Sequence, residues 1–318
     1  MSRRLLPLSV TILLFIGMAA FGALRYDGFL SLQVFLNLLI DNAFLCVAAV
    51  GMTFVILSGG IDLSVGAVMA FTTTLSAALL GIGWNPYATM AVVLALGAAF
   101  GAAQGFVIQR FRLAPFIVTL AGMFMARGCS YLISTESVPI SDPTYVAIAQ
   151  ARIPVGFDAS LTLGALLAIA TVLAAMRLAH ATAFGRAVYA LGGDENSARL
   201  MGLAVGRTRI AVYLLSGFTA ALAGIVMTFY MLSGYSLHAV GLELDAIAAV
   251  VIGGTLLAGG VGYVAGTLFG VLILGIIQTL IAFDGTLSSW WTKIVVGVLL
   301  LLFCLLQRLF ESRSRRTA

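Results

Sequence analysis

Residues 33–57 read QVFLNLLIDNAFLCVAAVGMTFVIL, an apolar run in which Asp41 is the only charged side chain. A helix that crosses the roughly 30 Å hydrocarbon core of a bilayer needs about 20 residues of this kind. Only helices and closed barrels satisfy their own backbone polar groups in lipid. This stretch therefore predicts a transmembrane helix, and similar runs follow along the whole chain.

The composition extends this interpretation to all 318 residues, of which 62% are hydrophobic and 9% are charged. A soluble domain is about 45–50% apolar and about 25% charged, so this chain cannot cover a water-facing surface. The composition excludes disordered and collagen-like proteins, and a soluble enzyme with one membrane anchor. We expect an all-α, polytopic membrane protein that forms one transmembrane domain over residues 1–318, in contact with membrane lipid.

Glycines, prolines and charged clusters divide the chain into about ten predicted spans. They cover residues 5–24, 33–57, 64–82, 86–109, 114–134, 159–178, 210–232, 243–258, 262–283 and 289–307. The stretches 58–66 and 253–262 are interrupted by glycine pairs without any positive charge, so either could instead be a re-entrant or broken helix.

The basic residues orient these spans, because cytoplasmic loops carry an excess of Lys and Arg. Only Arg25 and Arg152 fall in predicted outer loops, while Arg127 and Lys293 fall within spans. The other thirteen fall in predicted cytoplasmic segments: Arg3, Arg4, Arg110, Arg112, Arg177, Arg186, Arg199, Arg207, Arg209, Arg308, Arg313, Arg315 and Arg316. This asymmetry predicts that both termini are cytoplasmic, and it gives no basic face of the kind that binds nucleic acid.

The predicted inner loop, at about residues 179–209, contains the polar run GGDENSARLMG from Gly192 to Gly202. Asp194 is suited to cap a two-turn helix, and Gly202 is suited to follow its last residue. A short exposed helix is marginal on its own, so we expect it to contact a partner protein. The alternative is a solvated helix or one lying on the membrane surface.

Small residues recur at the spacing that lets helices approach closely. Two GxxxGxxxG runs, at Gly97/Gly101/Gly105 and Gly262/Gly266/Gly270, predict packing of helices within the subunit. Gly59, Gly60 and Gly66 also recur 200 positions later as Gly259, Gly260 and Gly266. That repetition hints at an internal duplication.

Ionisable residues within spans mark functional candidates, because they are costly to place in lipid. Asn37 and Asp41 lie four positions apart on one helix face, next to Asn42, and could line a path or join helices. Arg127 needs a partner or must reach an interface. Glu243 and Asp245 lie at a predicted helix start, where the helix dipole favours carboxylates.

Catalytic motifs are missing from the sequence, which has no GxxxxGK[ST], HExxH or GxSxG pattern. His180 and His238 are predicted on opposite sides of the membrane, so they cannot share a metal ion. The three cysteines are widely separated and suggest no disulfide. We therefore predict no catalytic residue, metal site or cofactor, and expect a protein that moves a solute using energy supplied elsewhere.

Several long motifs resemble the ribose-type permeases of bacterial ATP-binding-cassette (ABC) sugar importers. The matching stretches are GMTFVILSGGIDLSVG at 51–66, PFIVTLAGM at 115–123 with Arg127-Gly128, FGR at 184–186, the run at 192–202 and ELDAIAAVVIGGT at 243–255. The segments DNAFL at 41–45 and DGTLSSWWTK at 284–293 are most similar to galactofuranose permeases. Gln104-Gly105 departs from the Asn-Gly of many ribose-type relatives, which argues against assigning ribose by default.

The resemblance implies a permease in the bacterial inner membrane that works with a cytoplasmic ATPase, a second permease subunit and a periplasmic sugar-binding protein. We lean towards a heterodimer of two different permeases. The inner loop would couple to the ATPase through Phe184, Gly185, Arg186, Asp194, Glu195, Ala198, Arg199 and Gly202. The translocation path would include Asn37, Asp41, Asn42 and Gln278.

The resemblance also implies a tight inner turn formed by Gly59, Gly60, Asp62, Ser64 and Gly66, in which Asp62 caps the next helix. These residues could shape the turn only, or contact the substrate or the ATPase. The main alternative function is an ion-coupled secondary transporter that works alone and uses Asp41, Glu243 or Asp245 as its ion site.

Overall fold

The computed structural model describes residues 6–286, 288 and 290–315, so Arg3, Arg4, Leu5, Leu287, Ser289 and Arg316 lie outside the described residues. This part of the chain is mostly helical, as expected. The helices are α1 (Leu6–Arg25), α2 (Leu32–Asp41), α3 (Ala43–Leu57), α4 (Val65–Gly81), α5 (Pro86–Phe111), α6 (Pro115–Ile133), α7 (Pro143–Gln150), α8 (Leu163–Ala181), α9 (Ala183–Gly193), α10 (Glu195–Leu200), α11 (Val205–Met231), α12 (Leu242–Ile252), α13 (Val264–Asp284) and α14 (Trp290–Arg315).

The fold is not purely helical, because two small antiparallel sheets also form. Strand β1 (Val138–Pro139) pairs with β4 (Ser233–Gly234), and β2 (Arg152–Gly156) pairs with β3 (Ala159–Thr162). Three of these strands lie in or beside the predicted outer loop, where prolines interrupt helix formation.

Six of the described helices, α1, α5, α6, α8, α11 and α13, are long and apolar enough to cross a membrane. The pair α2–α3 adds a seventh if it is counted as one span bent by 58°. The continuous helix predicted over 33–57 is therefore wrong. Asn42 interrupts it and donates its side-chain amide to the Leu38 carbonyl oxygen at 3.0 Å.

Helix α3 is at the centre of the molecule, and every residue in it except Phe44 is buried. Its close neighbour α11 packs against α5 through glycines. An added Cβ on Gly97 would lie 2.7 Å from the Gly217 carbonyl oxygen, and one on Gly105 would lie 2.9 Å from the Ile210 Cα. Gly266 and Gly270 similarly abut Gly253 and Ala249 of α12. The predicted glycine packing within the subunit is confirmed.

Helix α12 differs from the predicted span 243–258, because it ends at Ile252 and a glycine-containing turn follows. Its 11 residues extend only about 16 Å at 1.5 Å per residue, which is about half of a bilayer core. Residues 232–241, which we call the descending segment, connect the end of α11 to the start of α12.

The descending segment runs alongside α4 towards its N-terminal end. Gly234 abuts the Thr73 carbonyl oxygen, whereas Ala239 and Glu243 abut Gly66 in the first turn of α4. The segment therefore passes roughly 10 Å along this helix, given the rise per residue. Non-helical backbone packed against a helix in this way needs partners for its polar groups within the protein.

Arg127 of α6 donates hydrogen bonds to backbone carbonyls of this segment. That role explains why a charged side chain lies within a predicted span. Its Nη1 donates to the carbonyl oxygens of Ser236 at 2.5 Å and His238 at 2.8 Å. Arg127 therefore has the partner that the sequence required, although the partner is backbone.

Replacing Arg127 with Met should destabilise the fold, because the Ser236 and His238 carbonyls lose their donor. An unsatisfied buried group costs about 1–3 kcal/mol, so the melting temperature in detergent should fall by several degrees. Arg127→Lys should recover part of the loss. Arg152→Met, which removes an exposed arginine of β2, is the control, and equal melting of both Met variants would contradict the role assigned to Arg127.

Candidate functional site

Five of the thirteen arginines predicted to be cytoplasmic come together at one end of the molecule, around a cavity of about 1070 Å³. Its lining includes five arginines, Arg110, Arg112, Arg199, Arg207 and Arg209. They come from the end of α5, from α10 and from the start of α11. Ser58, Gly59 and Gly60 also line this cavity, so the glycine turn after α3 opens at the same end.

The predicted inner helix forms as α10, and both of its predicted ends are confirmed. The Asp194 carboxylate accepts a hydrogen bond from the Ser197 backbone N–H at 2.6 Å. This bond lowers the pKa of Asp194, because it stabilises the charged form. Gly202 follows the Met201 cap with a φ of +77°, a conformation that glycine adopts without strain.

The predicted coupling residues divide into an inward and an outward group. Phe184 stacks on Phe54 of α3 with ring centroids 6.1 Å apart, and Gly185 abuts the Ala179 carbonyl oxygen. Ala198 is fully buried against Leu191 and Val205. The remaining members reach the surface, with Glu195 only partly exposed: Arg186, Asp194, Glu195, Arg199 and Gly202.

Two apolar residues that were not predicted also reach the surface here. Leu200 is 89% exposed and Met201 is 67% exposed, directly after the charged turn of α10. An exposed apolar pair rimmed by charge is typical of a surface that contacts another protein. Their sequence signal was weak, because an apolar pair before a glycine looks like an ordinary helix end.

A charged network connects α10 to two long helices. Glu195 accepts hydrogen bonds from Arg199 at 2.7 Å and from Arg209 of α11. The Arg209 Nη1 also donates to the Gln109 side-chain oxygen of α5 at 2.8 Å. The hydrogen bond from Arg209 is the main cause that lowers the pKa of Glu195, and the charges of both arginines add to it. Gln109 and Arg209 were not among the predicted coupling residues.

The motif turn holds Asp62 inside the protein, 2% exposed. Its carboxylate accepts from the Ser64 N–H at 2.9 Å, from the Ser64 hydroxyl at 2.6 Å and from the Ser216 hydroxyl of α11 at 2.7 Å. Asp62 therefore joins the turn to α11. The predicted cap of α4 is wrong in detail, because the helix begins at Val65, whereas the backbone N–H that Asp62 accepts from belongs to Ser64, the residue before it.

The three glycines of the motif, Gly59, Gly60 and Gly66, have different surroundings. Gly59 has a φ of +81° and is exposed at the cavity wall. A Cβ on Gly60 would overlap the Tyr213 hydroxyl, and one on Gly66 would overlap the Glu243 carboxylate. Close contacts explain both glycines, with the Tyr213 side chain at Gly60 and with the Glu243 side chain and the Ala239 carbonyl oxygen at Gly66.

The predicted path residues are not all equally accessible. Asn37 and Gln278 are exposed, and so is Asp41, which accepts a hydrogen bond from the Tyr230 hydroxyl at 3.1 Å. Asn42 is only 4% exposed, because it lies in the bend between α2 and α3. The structure therefore places Asn37, Asp41 and Gln278 on the surface, whereas Asn42 is buried between α2 and α3.

Glu243 and Asp245, the other carboxylates considered as ion sites, each contact a neighbouring residue. Asp245 forms an ion pair with Lys293, with nitrogen–oxygen distances of 2.7 and 2.8 Å. Glu243 lies in the first turn of α12 against Gly66. Both carboxylates occupy a helix N-terminus, where the dipole stabilises negative charge.

Comparison with known proteins identifies the family. Residues 34–304 match the family described as the permease component of the branched-chain amino acid transport system. The inner membrane ABC transporter permease protein YjfF of Escherichia coli K12 is 52% identical over 99% of this chain and 96% of its own length.

Two further relatives carry the names of sugar importers. The fructose import permease protein FruG of Bifidobacterium longum is 39% identical over 97% of this chain and 92% of its own length. The ribose import permease protein RbsC of Escherichia coli K12 is 39% identical, covering 86% of this chain and 85% of that protein. No solved structure matches. The chain belongs to the family of ABC transporter permeases of the ribose type, as a membrane-spanning subunit of the bacterial inner membrane and not an enzyme.

Proposed function

We propose that this chain is the permease subunit of an ATP-driven importer that carries galactofuranose across the inner membrane. Membership of the family supports an ABC sugar permease. The choice of galactofuranose depends on the resemblance of residues 41–45 and 284–293, and two of the relatives are named for ribose and fructose import. The coupling role is supported mainly by the exposed end of α10, at Leu200 and Met201, which lies beside the arginine-lined cavity.

The partners follow from that role. The family implies a cytoplasmic ATPase and a periplasmic sugar-binding protein, and we propose a second, different permease as the fourth component. The ATPase would contact Leu200, Met201, Arg186 and Arg199, whose side chains are exposed. ATP binding would move α10, and the path between the two permeases would open alternately to each side.

The proposed topology has ten crossings with both termini in the cytoplasm. It is supported by the convergence of arginines from two predicted cytoplasmic segments on one cavity, as the charge asymmetry requires. A lipid-facing role fits α14, where exposed apolar residues follow one face: Ile294, Val298, Leu301 and Leu305.

Substituting Arg186→Glu should preserve membrane insertion but weaken capture of the ATPase, because it reverses an exposed charge on the proposed docking surface. The expected loss is about tenfold in the amount recovered, as for a charge that contributes to a protein interface. Affinity purification from native membranes in mild detergent, followed by mass spectrometry, measures this loss. It also shows whether the second permease is a different chain.

Arg152→Glu on the outer loop is the matched control and should leave the complex intact. Normal ATPase recovery and normal uptake by Arg186→Glu would contradict the docking surface. Recovery of this chain alone, in a form that still transports sugar, would contradict the proposed function itself.

Gly202→Trp should uncouple uptake by placing a large side chain beside the tip of α10. Because Gly202 has a positive φ, any side chain adds strain, and Gly202→Ala separates that strain from bulk. We expect uptake of radiolabelled sugar by cells to fall much further for the Trp variant than for the Ala variant. Equal uptake by both variants would mean that Gly202 does not lie beside the ATPase.

The substitution Asp41→Asn distinguishes an ATP-driven permease from an ion-coupled transporter. Asparagine keeps an acceptor for the Tyr230 hydroxyl but removes the charge. Uptake should therefore remain within about twofold of the unaltered protein, since one exposed neutral hydrogen bond contributes little. Abolished uptake, with normal protein in the membrane, would favour an ion site at Asp41.

A further inference from the structure

Two glycine-containing turns meet at the arginine-rich end of the molecule. The first glycine turn, residues 58–60, follows α3, and the second, residues 259–262, precedes α13. The Gly260 N–H donates to the Leu57 carbonyl oxygen at 2.9 Å. A Cβ on Gly259 would lie 2.9 Å from the Gly59 backbone nitrogen. The inner ends of α3 and of the α12–α13 connection are therefore in direct backbone contact.

Gly192, near the end of α9, lies against both turns at once. A Cβ at this position would overlap the Leu57 carbonyl oxygen and would lie 2.6 Å from the Gly260 nitrogen. Backbone atoms cannot swing aside as the end of a flexible side chain can. A Cβ on the next residue, Gly193, would meet nothing within 4 Å. Of these two glycines, only Gly192 therefore lies where an added side chain would clash.

Further contacts join α9 to the same two places. The Tyr189 hydroxyl donates to the Gly262 carbonyl oxygen of the second glycine turn at 2.8 Å. Phe184 stacks on Phe54, one turn before the end of α3. Helix α9 is therefore fixed to the inner ends of α3 and of the α12–α13 connection by a hydrogen bond, a ring contact and backbone packing.

Helix α10 has different neighbours. Arg209 of α11 donates hydrogen bonds to Glu195 of α10 and to Gln109 of α5, and so joins these three helices. Asp194 is the single non-helical residue between α9 and α10, with an extended backbone. The loop therefore has two parts. Helix α9 contacts the glycine turns, and α10 is bonded to α11, whose Arg209 also bonds α5.

We propose that Gly192 and Tyr189 are positioning residues that fasten the coupling loop to the two glycine turns, so that movement of α10 displaces α3 and the α12–α13 connection directly. This inference rests on the proposed function, which supplies the ATPase that moves the loop. Helix α12, which precedes this connection, then carries the displacement to its other end, where Glu243 lies against Gly66 and the descending segment ends. The loop is in this way connected to the descending segment.

The test compares Gly192→Ala with Gly193→Ala in proteoliposomes that contain the complete complex. Sugar uptake and ATP hydrolysis are measured together, and their ratio is the readout. We expect Gly192→Ala to keep bound ATPase and to hydrolyse ATP, but to transport about tenfold less sugar per ATP, a size typical of substitutions along a coupling network. Gly193→Ala should match the unaltered complex.

Tyr189→Phe provides a second variant that removes only one hydroxyl and keeps the ring packing. It should lower the sugar-to-ATP ratio by about threefold, as expected for one buried hydrogen bond. Tyr263→Phe is its control, because the Tyr263 hydroxyl has no hydrogen-bond partner among the described residues. If Gly192→Ala fails to fold, the tyrosine pair decides the question alone.

Unchanged sugar-to-ATP ratios in Tyr189→Phe, and in Gly192→Ala where it folds, would overturn the inference while leaving the proposed function intact. Failure of the unaltered complex to couple uptake to ATP would instead overturn the proposed function. The two failures are therefore distinguishable in one set of measurements.

Discussion

Every buried backbone amide and carbonyl needs a partner, and two departures from helix in the described part of the chain are packed among its helices. The first departure is the motif turn after α3, where the buried Asp62 carboxylate binds Ser64 and Ser216. The second is the descending segment, whose carbonyls accept from Arg127. These two charged side chains satisfy or anchor the non-helical stretches, and the short helices α4 and α12 depend on them because each begins where such a stretch ends.

Breaking the helices in this way also determines how the two ends of the molecule are connected. Since α12 is short, its C-terminal end leads into the connection that contains the second glycine turn, and its N-terminal end meets the start of α4. A rigid helix of about 16 Å therefore links the arginine-rich end to the descending segment. Glycine is required at the inner contact because carbonyl and amide groups of three segments approach closely around Gly192. The same contact places the start of α10 one residue beyond a helix that is fixed to the core.

Much of this arrangement could be predicted from the sequence, and the rest could not for identifiable reasons. Apolar runs gave the approximate positions of the long helices, and Asp194 with Gly202 correctly bounded α10. The bend at Asn42 was missed, because one polar residue in an apolar run does not by itself end a helix. The end of α12 was placed too late, although the glycines of 253–262 had indicated a possible break there. Arg127 was recognised as needing a partner, but backbone carbonyls carry no sequence signal. The contacts of Gly192 were invisible because they join segments far apart in the chain.

Backbone hydrogen exchange, measured by mass spectrometry on the complex in lipid nanodiscs, tests the central claim most directly. The claim is that the coupling loop and the two glycine turns form one mechanical unit. Binding of a non-hydrolysable ATP analogue should change the protection of residues 183–200 together with that of residues 57–60 and 256–262. A change confined to the loop, with both turns unaffected, would contradict the account.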